Sequence, residues 1–160
     1  MTATPAPRTD TIATAQPAPD FTLPDQNRKD WTLSEAVKRG DVVLCFFPFA
    51  FTGVCGTEMK CITQEMARWK AKGAEVVGVS CDSPFVQSAW AKAEGFQHTL
   101  LSDQHRHVTK GYGLYWGDMN TTRRATVIIG RSATGQGTVK WVEAREPGQA
   151  MTWEKVLAQV

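Results

Sequence analysis

The segment VVLCFFPFAFTGVC, residues 42–55, decides the fold of this chain. Its first part, residues 42–47, is a nearly unbroken apolar run, which is typical of a strand buried on both faces. Beyond Cys55, apolar side chains recur at helical spacing as far as Trp69, and Gly73 ends that pattern. The Cys55 thiol therefore lies where a strand ends and a helix begins. Backbone N–H groups and the helix dipole stabilise a thiolate at such a place, which indicates thiol chemistry.

Buried-type strands alternate with helical segments along the rest of the chain. Thr32-Leu33-Ser34-Glu35 fits a capping box that opens a helix to Arg39, and Ser83-Pro84 fits the start of another helix. Alternation of this kind predicts an α/β layer structure. The predicted strands are 21–23 and 30–32, paired as a hairpin, then 42–47, 75–79, 99–101, 126–129 and 138–142, and the later helices are 84–94, 104–110 and 153–160.

Length and composition predict one domain, which we place at residues 18–160 of the 160. Residues 1–17 are rich in Thr, Ala and Pro and lack the basic and apolar regions of a signal peptide, so we expect a flexible extension and a cytoplasmic protein. The net charge of +2 and the scattered basic residues argue against a nucleic-acid partner. No apolar stretch is long enough to span a bilayer, so no membrane partner is expected.

The four cysteines, Cys45, Cys55, Cys61 and Cys81, do not indicate a disulfide scaffold, because the chain is long enough to fold without one. No C-x-x-C pair is present, which removes the usual zinc-ribbon and thioredoxin signatures. Cys45 lies inside the central apolar strand, where we expect an inert thiol.

Four segments in the same order along the chain carry a family resemblance. Pro48-x-x-x-Thr52-x-x-Cys55 resembles the active-site motif of the peroxiredoxins, which are thiol-dependent peroxidases. The segments APDFTL (18–23), VGVSCDS (77–83) and RATVII (124–129) are similar to three further segments of that family. The resemblance implies a thioredoxin-like fold, with a central mixed sheet flanked by helices and an N-terminal hairpin extension. It implies no cofactor.

The resemblance also implies a role for each matching residue. Cys55 would be the peroxidatic cysteine, whose thiolate attacks hydrogen peroxide or an organic hydroperoxide and becomes a sulfenic acid. Thr52 would hydrogen-bond the peroxide, and Arg124 would stabilise the thiolate and the leaving oxygen. Pro48 would shield the thiolate from water. Glu58 would orient the arginine.

The sequence leaves open which group reduces the sulfenic acid. Cys61 is six residues beyond Cys55, so a disulfide between them would require the first helical turn to unwind. Cys81, at a strand end, is a second candidate. Without either, the reductant would be a low-molecular-weight thiol or a thioredoxin-like protein, an arrangement that looks most like the bacterial E-type alkyl hydroperoxide reductases. The family likeness also leads us to expect a homodimer.

Each of these assignments of residue roles and function has a competing interpretation. Thr52 could simply cap a helix, and an isolated Arg124 would ordinarily form a surface ion pair. The alternative functions are a thiol–disulfide oxidoreductase, which the missing C-x-x-C pair disfavours, and a peroxide sensor on the same fold. His98, His105 and His107 are expected to be solvated or hydrogen-bonding histidines, so no metal site is predicted.

Overall fold

The structure of the protein, a computed structural model, describes residues 3–160. Nine strands and six helices lie along this range, with a short 3-10 turn at Gly117–Met119. No helix within residues 3–160 is both long and apolar enough to cross a lipid bilayer. The strands are β1 (Thr22–Pro24), β2 (Asp30–Thr32), β3 (Asp41–Phe46), β4 (Ala74–Ser80), β5 (Thr99–Ser102), β6 (Tyr115–Trp116), β7 (Thr121–Thr122), β8 (Arg124–Ile129) and β9 (Val139–Arg145). The helices are α1 (Leu33–Arg39), α2 (Gly53–Gln64), α3 (Met66–Ala71), α4 (Pro84–Glu94), α5 (His107–Gly111) and α6 (Trp153–Leu157).

The main sheet has five strands in the order β5-β4-β3-β8-β9. β3 runs parallel to β4 and antiparallel to β8, so the predicted central mixed sheet is confirmed. Successive side chains of β3 point to opposite faces. Val42, Leu44 and Phe46 pack into one hydrophobic core, and Val43 and Cys45 pack into the other. This two-sided burial explains the unbroken apolar run that opens the decisive segment.

The start of the fold agrees with the predicted hairpin and helix but not with the predicted capping box. β1 and β2 pair antiparallel, and α1 follows directly. The Thr32 side chain does not cap α1; its hydroxyl instead lies 2.8 Å from the Thr22 hydroxyl across the hairpin. The Asp20 carboxylate accepts the hydrogen bond from Ser34 N, at 2.9 Å. A partner from an earlier part of the chain thus replaces the local cap.

The later helices are also close to expectation, with local differences. The Ser83 hydroxyl accepts from Val86 N at 3.3 Å, which confirms the predicted N-cap of α4. The prediction of a single helix after Cys55 is wrong in one respect, because a turn at Glu65 divides this segment into α2 and α3. The hairpin of β6 and β7 was not predicted, since two-residue strands carry almost no sequence pattern.

The N-terminal segment lies against the domain in the described part, residues 3–17. Ile12 is buried in the core, and its N–H donates to Tyr112 O at 3.0 Å. Ala15 N donates to Val139 O at 2.8 Å. Ile12 thus supplies an apolar anchor to the domain within the segment that we expect to be a flexible extension. The division of the chain at residue 17 stays a prediction, and residues 1–2 lie outside the described range.

Candidate active site

The loop between β3 and α2 forms a tight turn that sets the direction of α2. Phe51 has a φ of 59°, a left-handed conformation that costs a non-glycine residue roughly 1–2 kcal/mol. The Thr52 hydroxyl donates to Phe49 O at 2.8 Å and makes no cap hydrogen bond to α2. The interpretation of Thr52 as a side-chain helix cap is therefore wrong, although Thr52 does occupy the position before the helix.

Two neighbouring elements hold this strained loop in place. The Asp82 carboxylate, at the end of β4, accepts from Ala50 N at 2.9 Å and from the Ser80 hydroxyl at 2.8 Å. The Thr121 hydroxyl, in β7, donates to Pro48 O at 2.7 Å. The short β6–β7 hairpin thus supports the loop from one side and the end of β4 supports it from the other.

Cys55 lies in the first turn of α2, with its side chain buried. The Arg124 guanidinium, at the start of β8, donates from Nη2 to Cys55 Sγ at 3.1 Å. Pairing of β8 with β3 brings Arg124 to this position, because Ala125 is the register partner of Phe46 at the end of β3. A helix N-terminus and a guanidinium both stabilise negative charge on sulfur.

Glu58 lies one turn along α2 from Cys55 and holds two buried arginines. Its Oε1 is 2.7 Å from Arg124 Nη1 and 3.5 Å from Arg145 Nη2. Burial alone lowers the pKa of Arg124, but the charges of Glu58 and Cys55 and the hydrogen bonds to them outweigh burial and raise it. In this cluster Arg124 and Arg145 share the Glu58 carboxylate, and Arg124 also donates to the Cys55 sulfur, where a guanidinium stabilises negative charge.

The sequence prediction did not include Arg145. It is the register partner of Arg124 at the end of β9, and its side chain also contacts Glu143, which a second ion pair joins to Lys155. The alternation of residues 138–142 predicts a strand more exposed than the others, and Arg145 lies beyond that predicted range. Arg145 lies two residues beyond Glu143 and four beyond Trp141, so the three side chains lie on the same face of the strand. Trp141 packs against the core on that face. That alternation is the signal that could have identified it.

The other three cysteines are free thiols with no direct contact to Cys55 among the described hydrogen bonds. Burial raises the pKa of Cys45 to about 12, as expected for an inert core thiol. Cys61 lies farther along α2, where burial and then Glu65 raise its pKa. Cys81 is buried at the end of β4, with Sγ 3.7 Å from the Thr109 hydroxyl, and burial raises its pKa.

Cavity size does not mark the reactive centre. A cavity of about 420 Å³ lies at the opposite end of the strands from Cys55, between the end of α1, α3 and the starts of β4 and β5. A smaller cavity, about 280 Å³, includes Arg124 and Arg145 in its wall. A peroxide is a small molecule, so the chemistry at Cys55 identifies the site better than volume does. Within residues 3–160, no cluster of three or more His, Cys, Asp or Glu side chains could hold a metal ion.

A buried thiol in the first turn of a helix, in contact with a guanidinium, is the arrangement that thiol-dependent redox chemistry requires. Residues 14–141 match the model of the AhpC/TSA family, and the chain belongs to that family. The fold and function predicted from the sequence are thereby confirmed: the protein has the thioredoxin-like fold of the peroxiredoxins and is a thiol-dependent peroxidase.

Individual relatives are similar over most of the chain. Alkyl hydroperoxide reductase E of Mycobacterium tuberculosis (strain ATCC 25618 / H37Rv) is 32% identical over 146 residues, which cover 88% of this chain and 93% of the relative. Peroxiredoxin-1 of Gallus gallus is 37% identical over 126 residues, 71% of this chain and 62% of the relative. The crystal structure of peroxidoxin BcpB from Mycobacterium tuberculosis has a TM-score of 0.81 at 28% identity and covers 91% of this chain and 94% of that one.

Proposed function

We propose that Cys55 is the residue that reduces the peroxide. The observation that carries this proposal is the 3.1 Å contact from Arg124 Nη2 to a buried sulfur in the first turn of a helix. Hydrogen peroxide and organic hydroperoxides are the proposed substrates. Glu58 acts as a positioning residue, because it holds the Arg124 guanidinium at a second nitrogen while Arg124 contacts Cys55.

The proposed first step is a nucleophilic displacement on oxygen. The Cys55 thiolate attacks one peroxide oxygen, so an S–O bond forms as the O–O bond breaks. Sulfur is oxidised by two electrons to the sulfenic acid, and the leaving oxygen takes a proton to become water or an alcohol. The Arg124 guanidinium faces the charge that moves from sulfur to the leaving oxygen, where a fixed donor lowers the barrier most.

Thr52 and Pro48 complete the proposed site. The Thr52 hydroxyl donates its own proton to Phe49 O, which leaves its oxygen lone pairs available to accept the O–H of a peroxide. Pro48 is buried beside the loop and its carbonyl is engaged by Thr121. In this proposal Pro48, which has no N–H donor, shields the sulfur from water.

For the second half of the cycle we propose an external reductant, either a small thiol or a thioredoxin-like protein. Cys61 is six residues along α2, so its Cα is about 9 Å farther along the helix axis than that of Cys55. A disulfide requires Cα atoms within about 7 Å. Cys81 is buried, and its sulfur contacts the Thr109 hydroxyl. In this proposal a thiol attacks the sulfenic sulfur and releases water, and a second thiol displaces Cys55 from the mixed disulfide.

Mass spectrometry after one turnover tests this second step. The reduced protein is treated with hydrogen peroxide and then with a limiting small thiol. We expect a mixed disulfide on Cys55, with the Cys61→Ser and Cys81→Ser variants turning over like the unmodified protein. An intramolecular disulfide that disappears in either variant would show that the corresponding cysteine resolves Cys55.

We propose further that two copies of the chain associate through apolar side chains beside the active-site loop. Phe51 in the loop and Phe85 and Val86 in the first turn of α4 are exposed at 59%, 67% and 38%. The loop and α4 follow the ends of the neighbouring parallel strands β3 and β4, and the Phe51 and Trp90 rings lie 6.1 Å apart. These exposed apolar groups therefore lie together at one end of the sheet, and such a patch is typical of an interface.

Molar mass by sedimentation equilibrium tests the association. We expect the unmodified protein to be a dimer. The Phe85→Ser dimer should dissociate at a higher protein concentration, because loss of this ring costs more free energy at an interface than on the surface of a monomer. An unmodified protein that stays monomeric at high concentration would contradict the proposal.

A further inference from the structure

A cavity of about 280 Å³ adjoins the reactive centre through Arg124. Arg124 contacts Cys55 through Nη2 and also forms part of the cavity wall. Cys55 itself does not line the cavity. A group bound there would therefore lie against the same guanidinium that contacts the sulfur. The lining residues are Trp116, Arg123, Arg124, Ala144, Arg145, Glu146 and Pro147.

Two donors of this wall remain unused. Arg123 is exposed, and its guanidinium forms no salt bridge with any residue of the described range 3–160. Arg145 is only 8% exposed, and its Nε is buried without a hydrogen-bond partner among the described residues. A buried donor without a partner is costly, and native proteins rarely leave one unless a ligand or water satisfies it.

The wall is suited to a small organic anion. Arg124 and Arg145 are paired with Glu58, so Arg123 supplies the positive charge of this wall that no carboxylate engages, and the one carboxylate of the wall, Glu146, is exposed to solvent. Arginine presents a planar set of N–H donors that matches a carboxylate. The half-buried Trp116 ring adds an apolar surface for the carbon skeleton of the ligand.

We propose that this cavity binds the carboxylate of a co-substrate while its reacting atom lies at Cys55. This inference rests on the proposed role of Cys55. A carboxylate can reach the site on either of two molecules, an acidic hydroperoxide in the first half-reaction or an acidic thiol in the second. Arg123 is the residue that distinguishes these acids from their neutral esters, because its charge is exposed at the cavity and is not engaged elsewhere.

Matched pairs of reagents separate the two sources. Oxidation of the reduced protein is timed with a tertiary alkyl hydroperoxide bearing a carboxylate and with its methyl ester. Reduction of the sulfenic acid is timed with mercaptopropionate and with methyl mercaptopropionate. Each acid-to-ester rate ratio is compared between the unmodified protein and Arg123→Gln, so differences in reagent reactivity cancel. Arg131→Gln, the same charge change beyond the other end of β8, is the control.

We expect Arg123→Gln to lower the acid-to-ester ratio about threefold to fivefold in one half-reaction, the size of effect that an exposed charge pair produces. The half-reaction affected identifies the acidic molecule, and Arg131→Gln should leave both ratios unchanged. Oxidation by hydrogen peroxide should keep its rate in both variants. Equal ratios in Arg123→Gln and the unmodified protein would overturn the inference, as would an equal slowing of acid, ester and hydrogen peroxide. An unmodified protein that hydrogen peroxide fails to oxidise at Cys55 would instead refute the proposed function.

Discussion

Replacing Cys55 with serine is expected to reduce peroxide consumption to the rate of buffer alone. Serine is nearly the same size, but its hydroxyl stays protonated at neutral pH and does not attack peroxide oxygen. Arg124 would then face a neutral oxygen where the sulfur had been. The measurement is hydrogen peroxide removal with dithiothreitol as the reductant, at equal concentrations of variant and unmodified protein.

Cys61→Ser and Cys81→Ser are the matched controls for this loss. Both replace a free thiol that does not contact Cys55 in the described hydrogen bonds, so both should retain the first half-reaction. Urea unfolding of each variant separates chemistry from folding. If Cys55→Ser kept its activity while Cys81→Ser lost it, the assignment of the nucleophile would be wrong.

The second large effect is expected for Arg124→Gln. Loss of a fixed donor at the site where charge develops should slow oxidation of Cys55 by about 10²–10³-fold. Breaking a buried ion pair should also lower the free energy of unfolding by about 3–5 kcal/mol, because Glu58 loses its nearest partner. Stopped-flow tryptophan fluorescence gives the oxidation rate, and urea unfolding gives the stability.

Arg145→Gln separates these two consequences. Arg145 shares Glu58 with Arg124 but makes no contact with Cys55 within the described hydrogen bonds. Its replacement should therefore destabilise the protein while slowing oxidation much less than Arg124→Gln does. Equal slowing in the two variants would mean that Arg124 acts only through the stability of the cluster, and its proposed contact with the reacting charge would be rejected.

The sequence predicts those parts of the fold that depend on burial within one element. The apolar run at residues 42–47 is buried on both faces of the sheet, and that is enough to locate β3. The cap of α1 depends instead on Asp20, which the pairing of β1 with β2 brings close to Ser34. Local pattern favoured Thr32 for that role, and a tertiary contact displaced it.

The same distinction holds for the site. Cys55 and Glu58 are three residues apart, so one helical turn places them together whatever the rest of the chain does. Arg124 could be predicted because the segment that contains it, RATVII (124–129), resembles a segment of the family by itself. Arg145 reaches the cluster only through the pairing of β8 with β9, and its side chain resembles a surface arginine until that register is known.

Trapping the oxidised sulfur in the unmodified protein tests the central proposal most directly. The reduced protein is mixed with one equivalent of hydrogen peroxide in the presence of dimedone, which reacts with sulfenic acids, and the labelled cysteine is identified by mass spectrometry. We expect the label on Cys55, with Cys45, Cys61 and Cys81 unlabelled. A label on any other cysteine, with Cys55 still a free thiol, would contradict the proposed role of Cys55.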